Sequence, residues 1–358
     1  ESWMYFNKRI LLEAARTDLP LLERFNYLGI YSNNLDEFFR VRVASLRRIV
    51  GSLEPIPTHE RRKAKETLRT IIRLNHEYSA LFDRTFADLL QSLNEAHIHI
   101  INEQELTTDQ EDEVLSFFMD KINGITNPIF INSPTFRPEQ HLKESLYLVV
   151  VLWHEQGEEE LAHDVALLEV PTKELGRFLR LRDKDGESYL MFLDDVLRYC
   201  LPYIFIGREY AQYEAYTFKF TKDAEFELEQ DLRSSVIEMV SRGVKRRGRG
   251  EAVRVVYDEA LSPEILRRLS DMAELNYRDM RIGGGRYHNM RDLMTLPDCG
   301  RPGLRFPKQE PLQMDEFHYS QSIISQVLRR DRCIHFPYYS FDHFLRLLQE
   351  AAISEEIG

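Results

Sequence analysis

The chain has 358 residues, of which 43% are hydrophobic, and this is enough for two or three ordinary cores rather than one. Its formal net charge of -12 argues against a general nucleic-acid coat, so a polyanionic ligand would have to bind local basic patches. The three cysteines, Cys200, Cys299 and Cys333, are too few for a disulfide framework and lack metal-ligand spacing, as expected in a reducing cytosol.

No apolar run approaches the roughly twenty residues of a membrane-spanning helix, so we expect a soluble protein. The chain begins with Glu1 instead of methionine and carries no basic-then-apolar leader. We therefore expect it to be a trimmed part of a longer protein.

Residues 1–103 are predicted to form a helical domain. Apolar residues recur at helical spacing behind Pro20, and a second apolar run begins at Leu35. The polar step Ser32-Asn33-Asn34 between them predicts a break between two helices. The amphipathic stretch 58–96 predicts a long helix that completes a bundle.

Residues 104–312 are predicted to form a second domain of the α+β class, because strands and helices follow one another without strict alternation. Thr107 and Thr108 precede a first helix. Strands are predicted at 129–131, 145–153, 163–170 and 253–257, with a turn at 157–160 between two of them, and helices at 226–244 and 263–275. A proline-containing linker at 302–311 then leads to residues 313–358, predicted to open a third, incomplete unit with apolar stretches at 317–328 and 341–352.

Asn34 has two interpretations. With Glu37 three residues later it matches a helix capping arrangement at the start of residues 35–46. Alternatively, the amide of Asn33 or Asn34 pairs with the donor and acceptor edge of adenine, as Asn does when it reads adenine in nucleic acids. Asn33 could then cap while Asn34 points outward.

A basic cluster lies between a predicted helix and strand, and consists of Lys245, Arg246, Arg247 and Arg249, extended by Arg254. A solvated turn is the ordinary interpretation of such a cluster. The alternative is a phosphate-contacting loop, because guanidinium groups make bidentate contacts to phosphate.

Three further patterns favour ordinary structural roles. Gly283-Gly284-Gly285 predicts a plain turn in preference to an anion cradle, since the Lys-Ser/Thr ending of a P-loop is absent. His141 and Lys143 form a His-x-Lys pair without the aspartate that phospholipase D-like enzymes place after it. His97 and His99 would share one strand face, but no carboxylate joins them by motif, so they are interpreted as surface or edge residues.

The chain nevertheless closely resembles the larger, ATP-dependent type of bacterial polyphosphate kinase over essentially its whole length. The resemblance rests on Leu28-Gly29-Ile30-Tyr31-Ser32-Asn33-Asn34-Leu35-Asp36-Glu37-Phe38, Thr221-Lys222-Asp223-Ala224-Glu225, Gly284-Gly285-Arg286-Tyr287-His288-Asn289 and Phe336-Pro337-Tyr338-Tyr339-Ser340-Phe341-Asp342. These four motifs stand in the family's order and at about its spacing.

The resemblance implies an N-terminal helical domain that forms one wall of the adenine pocket, a head domain that dimerises, and the start of a truncated phospholipase D-like catalytic domain. The family's adenine-contacting asparagine falls on Asn34, which favours the nucleotide interpretation over the cap. Its phosphorylated histidine, second catalytic histidine and Mg²⁺ ligands belong to the C-terminal half, so no catalytic or metal residue is assigned here. His335 and His343 match no catalytic motif.

The implied activity is reversible transfer of the ATP γ-phosphoryl group to polyphosphate through a phosphohistidine. The implied partners are ATP or ADP, polyphosphate and a second copy of the chain, without nucleic acid, and the implied location is cytoplasmic. Arg246, Arg247 and Arg249 are candidate polyphosphate contacts. Two rivals are a non-enzymatic helical adaptor, in which Asn34 is only a cap, and a nucleic-acid module that uses the basic cluster.

Overall fold

The computed structural model describes residues 1–52, 55–131, 133, 145–154, 163–208, 210–222, 252–272, 281–319, 321–355 and 357. The chain forms two compact units, Glu1–Arg305 and Phe306–Gly358. The domain boundaries expected near residues 103 and 312 stay predictions.

The first unit begins with packed helices: α1 (Ser2–Ala14), α2 (Leu21–Phe38), α3 (Ala44–Gly51) and α4 (Thr58–Glu95). Helix α2 contacts both α1 and α4 and buries one apolar face, formed by Leu22, Phe25, Leu28, Leu35 and Phe38. A π-helical turn, Phe39–Val43, joins α2 directly to α3. The helical N-terminal part is therefore confirmed.

The predicted break at Ser32-Asn33-Asn34 is wrong, because α2 continues through these three residues to Phe38. Serine and asparagine are poor helix formers, but each costs no more than about 0.7 kcal/mol relative to alanine, and burial of the apolar face outweighs that cost. The irregularity lies one turn later, at the π-helical turn. With no helix starting at Leu35, the capping role of Asn34 is wrong as well.

Helices and strands then alternate irregularly. The strands of the first unit are β1 (Ile98–Ile101), β2 (Ile129–Phe130), β3 (Leu146–His154), β4 (His163–Glu169), β5 (Phe178–Arg180), β6 (Ser188–Phe192), β7 (Tyr210–Lys222), β8 (Ala252–Asp258) and β9 (Arg281–Gly284). Its further helices are α5 (Thr108–Phe117), α6 (Thr172–Leu175), α7 (Leu193–Tyr199), α8 (Leu201–Ile204) and α9 (Pro263–Met272). A second π-helical turn, Phe118–Ile122, follows α5, and a 3₁₀ turn, Met290–Thr295, follows β9.

The strands form two sheets. The smaller has the order β1-β6-β5, and its parallel β1–β6 pair aligns Ile98 with Ser188. The larger has the order β2-β4-β3-β7-β8-β9 and is antiparallel except for β8–β9. This mixture of strands and helices agrees with the predicted character of the middle region.

Strand β3 is the centre of the core. Its side chains alternate between two apolar clusters, one against α7 and α8 and the other against α9. The predicted strands at 145–153, 163–170 and 253–257 are confirmed with small shifts of their ends. The predicted helix at 263–275 is confirmed over Pro263–Met272, and residues 273–275 lie outside the described residues. The predicted turn at 157–160 and helix at 226–244 lie outside the described residues.

Gly283 and Gly284 are in β9, so the predicted plain turn is wrong at these two positions. A methyl group on Gly283 would meet the Glu259 side chain at 2.6 Å, and one on Gly284 would lie 3.0 Å from the His288 ring. The glycines therefore permit close packing inside the sheet.

The second unit contains the 3₁₀ turn Asp315–Phe317, helix α10 (Ile323–Arg329) and helix α11 (Asp342–Ile353). The Glu350 carboxylate on α11 accepts hydrogen bonds from the backbone N–H groups of Ile323 and Ile324, so it binds the exposed start of α10. Among the described residues of the chain, no helix has the length and apolar character needed to cross a membrane.

Candidate functional site

Helix α2 carries the residues of the first sequence motif. Asn33 is exposed and Asn34 is half-buried, and both lie within the helix. The Nδ2 atom of Asn34 donates a hydrogen bond to Oδ1 of Asn7 on α1 at 3.3 Å. The Asn34 amide is therefore partly held by the neighbouring helix and partly accessible.

The opposite side of α2 faces the larger sheet through Asp36. Its carboxylate lies 2.5 Å from Nζ of Lys219 on β7 and 2.7 Å from Nη1 of Arg254 on β8. Burial raises the pKa of Asp36, but the two positive charges outweigh that effect and hold the pKa below its usual value. Asp36 is thus an ionised link between helix and sheet.

Arg254 was expected to extend the basic cluster, interpreted as a solvated turn or, alternatively, as a phosphate-contacting loop, but it lies in strand β8. It is buried, pairs with Asp36, and lies over the Phe39 ring of the π-helical turn at 4.9 Å. Its positive charge is therefore paired with a carboxylate of the protein itself.

Lys219 continues the contacts to the third sequence motif. Its Nζ donates to Oδ1 of Asn289 at 2.7 Å, and Nδ2 of Asn289 donates to Asp292 at 2.7 Å. Asn289 has a left-handed backbone with φ of 61°, a conformation that asparagine tolerates better than most residues. We name Asp36, Lys219, Arg254 and Asn289 the ion cluster.

A second buried group adjoins it. Arg177 donates to Asp292 at 3.3 Å, to Asp194 at 2.8 Å and to the carbonyl oxygen of His288 at 3.0 Å. Burial lowers the pKa of His288 to about 3, which keeps this histidine neutral. The loop after β9 is therefore fixed by internal contacts.

Asp195 collects further contacts from the same loop. Its carboxylate accepts from Arg198 at 2.6 Å, from Arg286 at 2.8 Å and from the Tyr287 hydroxyl at 2.6 Å, and Arg286 also pairs with Glu103. Burial, followed by the charge of Asp195, raises the pKa of Tyr287. The side chains of Arg286 and Tyr287 are consequently held in place by hydrogen bonds to Asp195.

Sequence reasoning missed most of these residues. Asp36 and Asn289 stand in quoted motifs, but Lys219 precedes its motif by two positions, and Arg177, Asp194 and Asp195 stand outside all of them. A charged residue inside an apolar strand was the available signal for Lys219, because lysine is almost never buried unless it is paired.

His97 and His99 are joined by a carboxylate after all: Glu187, brought in by the turn before β6, lies 2.8 Å from Nδ1 of His97 and 2.7 Å from Nε2 of His99. Hydrogen bonds from His99 and then His97 lower the pKa of Glu187. No local sequence pattern predicts this contact, because Glu187 is about ninety residues away in sequence.

Within the second unit, Nε2 of His343 accepts a hydrogen bond from the backbone N–H of Met314, and His335 is exposed. His141, Lys143 and the basic cluster Lys245–Arg249, with Arg246, Arg247 and Arg249, lie outside the described residues.

The described residues do not fit a Mg²⁺ ion. No group of three or more His, Cys, Asp or Glu side chains in the described ranges has the geometry of a metal site. The partly buried Asp36 and the buried Asp194 and Asp195 are each paired with a lysine or arginine, which occupies oxygens that a metal would need.

Comparison with known proteins gives the family. Residues 1–101 match the model of the polyphosphate kinase N-terminal domain, and residues 109–296 match that of the polyphosphate kinase middle domain. A polyphosphate kinase of Yersinia pestis is 32% identical over 365 residues, covering 99% of this chain and 51% of that protein. One of Escherichia coli K12 is 31% identical over 367 residues, covering 99% of this chain and 52% of the relative.

The crystal structure of polyphosphate kinase from Porphyromonas gingivalis superposes with a TM-score of 0.73 at 30% identity, over 99% of this chain and 49% of that one. A helical part followed by a mixed-sheet middle part is thus a known combination. The chain belongs to the polyphosphate kinase family, and it spans about half the length of the curated relatives it matches.

Proposed function

We propose that this chain is the adenine-contacting and head portion of an ATP–polyphosphate phosphotransferase. In the proposed reaction the γ-phosphoryl group of ATP moves to an enzyme histidine, ADP leaves, and the phosphoryl group then passes to the end of a polyphosphate chain, with both steps reversible. Such a covalent relay divides one difficult transfer into two easier ones. As the family resemblance implies, the phosphohistidine, its partner histidine and the Mg²⁺ ligands are assigned to the C-terminal half of the intact enzyme.

One observation carries the proposal: the ion cluster brings together residues of the first and third motifs and a lysine beside the second. Asp36, Lys219 and Asn289 are far apart in sequence yet lie within hydrogen-bond distance of one another along one chain of contacts. Asn34 stands two residues from Asp36, so the adenine contact is built on a helix that the head strands fix in place. Accurate positioning of a nucleotide requires such a rigid support.

The intact enzyme, with ATP, magnesium and polyphosphate, tests this function. We expect polyphosphate to lengthen and the enzyme to carry an acid-labile, base-stable phosphoryl label. RNA binding without turnover would instead support the nucleic-acid module, and neither activity would support the adaptor.

The 358-residue chain by itself is proposed to be inactive. A phosphoryl relay needs a nucleophilic histidine, a group that positions it and cations on the transferred phosphate. Given γ-labelled ATP and magnesium, the chain should remain unlabelled. Acid-labile labelling would contradict this assignment, and His141 would be the first residue to replace.

We further propose that the head region, about residues 104–312, makes a homodimer or larger homo-oligomer. Light scattering of the intact enzyme at micromolar concentration should give a mass of at least two subunits. A strictly monomeric enzyme would contradict this proposal. A cytoplasmic location is also proposed, since ATP is the donor and the cysteines Cys200, Cys299 and Cys333 are free thiols.

Arg246, Arg247 and Arg249 remain proposed contacts to polyphosphate. Their joint replacement by glutamine should reduce polyphosphate affinity, and its dependence on salt, more than it reduces ATP affinity. Equal losses for both ligands would contradict this role.

A further inference from the structure

Asn7 on α1 is a buried polar residue whose orientation is fixed by its contacts. Its side chain is 1% exposed, and its Nδ2 donates to the backbone carbonyl oxygen of Tyr31 on α2 at 3.1 Å. A carbonyl oxygen can only accept, so Nδ2 has to face Tyr31. The Oδ1 atom of Asn7 therefore faces away from Tyr31 as an acceptor.

That acceptor determines the orientation of Asn34. Nδ2 of Asn34 donates to Oδ1 of Asn7 at 3.3 Å. If the Asn34 amide were flipped, two acceptor oxygens would face each other beside a buried side chain, and both would lose a hydrogen bond. The contact thus selects one of the two amide orientations.

The selected orientation leaves a defined pair of groups for a ligand. Oδ1 of Asn34 has no protein partner among the described residues, and the second hydrogen on Nδ2 is also unused. One turn away on both helices, the rings of Trp3 and Phe38 stack with their centroids 4.1 Å apart, which holds α1 against α2 at this level. Asn34 therefore offers one acceptor and one donor in a fixed order.

We propose that Asn7 is a positioning residue that makes this site selective for a 6-aminopurine over a 6-oxopurine. The proposal rests on the proposed function, in which Asn34 contacts the base of the nucleotide. The 6-amino group of adenine donates to Oδ1 while a ring nitrogen accepts from Nδ2. Hypoxanthine and guanine carry an oxygen at that position, which would face Oδ1, and Asn7 prevents the amide from turning to suit them.

The expected selectivity is about tenfold or more, since a site built around a hydrogen bond rejects a base that leaves its buried polar group unpaired. ITP is the appropriate competitor, because hypoxanthine differs from adenine at position 6 and in the protonation of the adjacent ring nitrogen but adds no 2-amino group. The quantity to compare is the ratio of kcat/KM for ATP to kcat/KM for ITP.

The experiment uses the intact enzyme as wild type, Asn7→Leu, Asn34→Ala and Asn75→Leu. Asn75 is the matched control: it is an asparagine on α4, also 1% exposed, and has no hydrogen-bond partner among the described residues. We expect wild type and Asn75→Leu to prefer ATP by about tenfold or more. Asn7→Leu and Asn34→Ala should each reduce the preference by about fivefold or more, because the amide can then turn or is absent.

A merely structural role for Asn7 would lower activity with both nucleotides and leave the ratio unchanged, and that result would overturn the proposal. A wild-type ratio near one would overturn it too, and this measurement does not depend on whether Asn7→Leu folds. If Asn34→Ala keeps the wild-type ratio, the adenine contact itself is wrong. If wild type does not turn over ATP at all, the proposed function fails.

Discussion

Asn34 and Asp36 are separated by one residue but serve opposite sides of α2. A step of two residues turns a helix by about 200°, which places the amide beside α1 and the carboxylate beside the sheet. Asn34 pairs with Asn7, and Asp36 pairs with Lys219 and Arg254. Changes at these positions should therefore separate nucleotide binding from stability.

Asn34→Ala in the intact enzyme should weaken apparent ATP affinity while changing the free energy of unfolding by less than about 1 kcal/mol. Alanine is the better helix former, which offsets part of the loss of the contact to Asn7 on α1, and because Asn34 is only half-buried, water can take its place at Oδ1 of Asn7. Titration with ATP and urea unfolding measure the two quantities. Asn33→Ala, exposed and adjacent, is the control and should change neither; a large loss of stability without altered ATP kinetics would contradict the adenine contact.

Asp36→Asn should lower the free energy of unfolding at pH 7 by about 3 kcal/mol, because Lys219 and Arg254 would keep their buried charges without a counter-charge. The folded-state pKa of Asp36 is depressed, so its contribution is present above the unfolded pKa of about 4 and is lost as pH falls through the lower, folded value.

Urea unfolding at pH 7 and at successively lower pH tests this dependence: the gap between wild type and variant should narrow below about pH 4. Glu37→Gln is the control, since its exposed pair with Arg40 is worth at most about 1 kcal/mol. An equal gap at every pH would rule out the ionised Asp36 link.

At the scale of elements, the sequence predicted the helices of the N-terminal part but not the position at which the regular α-helix gives way to a π-helical turn. Ser32, Asn33 and Asn34 have weak helix propensity, whereas the decisive contacts of this stretch come from distant residues such as Lys219 and Arg254. The π-helical turn at Phe39–Val43 inserts an extra residue, and both Phe39 and Val43 are buried, as residues four apart on one face of a regular helix would be. Apolar periodicity alone cannot distinguish such a turn from a regular helix.

The positions of the strands were easier to predict than the pairing of one strand with another. Residues 146–154 and 163–169 are long β-branched or apolar runs, and local pattern suffices for such segments. The contact between Glu187 and the two histidines, His97 and His99, depends on the parallel pairing of β1 with β6, which no local pattern encodes. The same limit applies to the ion cluster.

Gly29 shows how closely α2 packs on the 3₁₀ turn Met290–Thr295. A methyl group on Gly29 would lie 2.6 Å from Cγ of Met294. It would also lie 3.0 Å from the backbone nitrogen of Met294 and 3.1 Å from the carbonyl oxygen of Arg291, so backbone atoms would crowd it as well. Gly29→Ala should therefore lower the free energy of unfolding by about 1–3 kcal/mol, although alanine is normally the better helix residue.

Thermal or urea unfolding measures this effect. Gly285→Ala is the control, because a methyl group at Gly285 would have no neighbour within 4 Å. Stabilisation by Gly29→Ala would show that the turn can move away from the helix.

At the scale of the molecule, the composition predicted several cores, and the described residues form two compact units. The helical part and the mixed-sheet part both fall within the first unit, Glu1–Arg305. Composition could not predict that the helical part and the mixed-sheet part form one unit. The residues that join the two parts, Asp36, Lys219 and Arg254, are charged, and charged residues are expected at the surface from sequence alone.

The ion cluster has a consequence for how the protein opens. Segments that share buried charges cannot separate one at a time, since each partial opening would leave a charge without its partner.

Native-state hydrogen exchange should accordingly show amides near the end of α2 and those of β7 and β8 around Lys219 and Arg254 exchanging with one common free energy of opening. In Asp36→Asn the helix amides should exchange faster than the strand amides, as two separate cooperative units; separate exchange already in wild type would contradict the coupling. Helix α2 and strands β7 and β8 would then share a single local stability, and if ATP binds at α2 as proposed, it should slow exchange in these strands as well as in the helix.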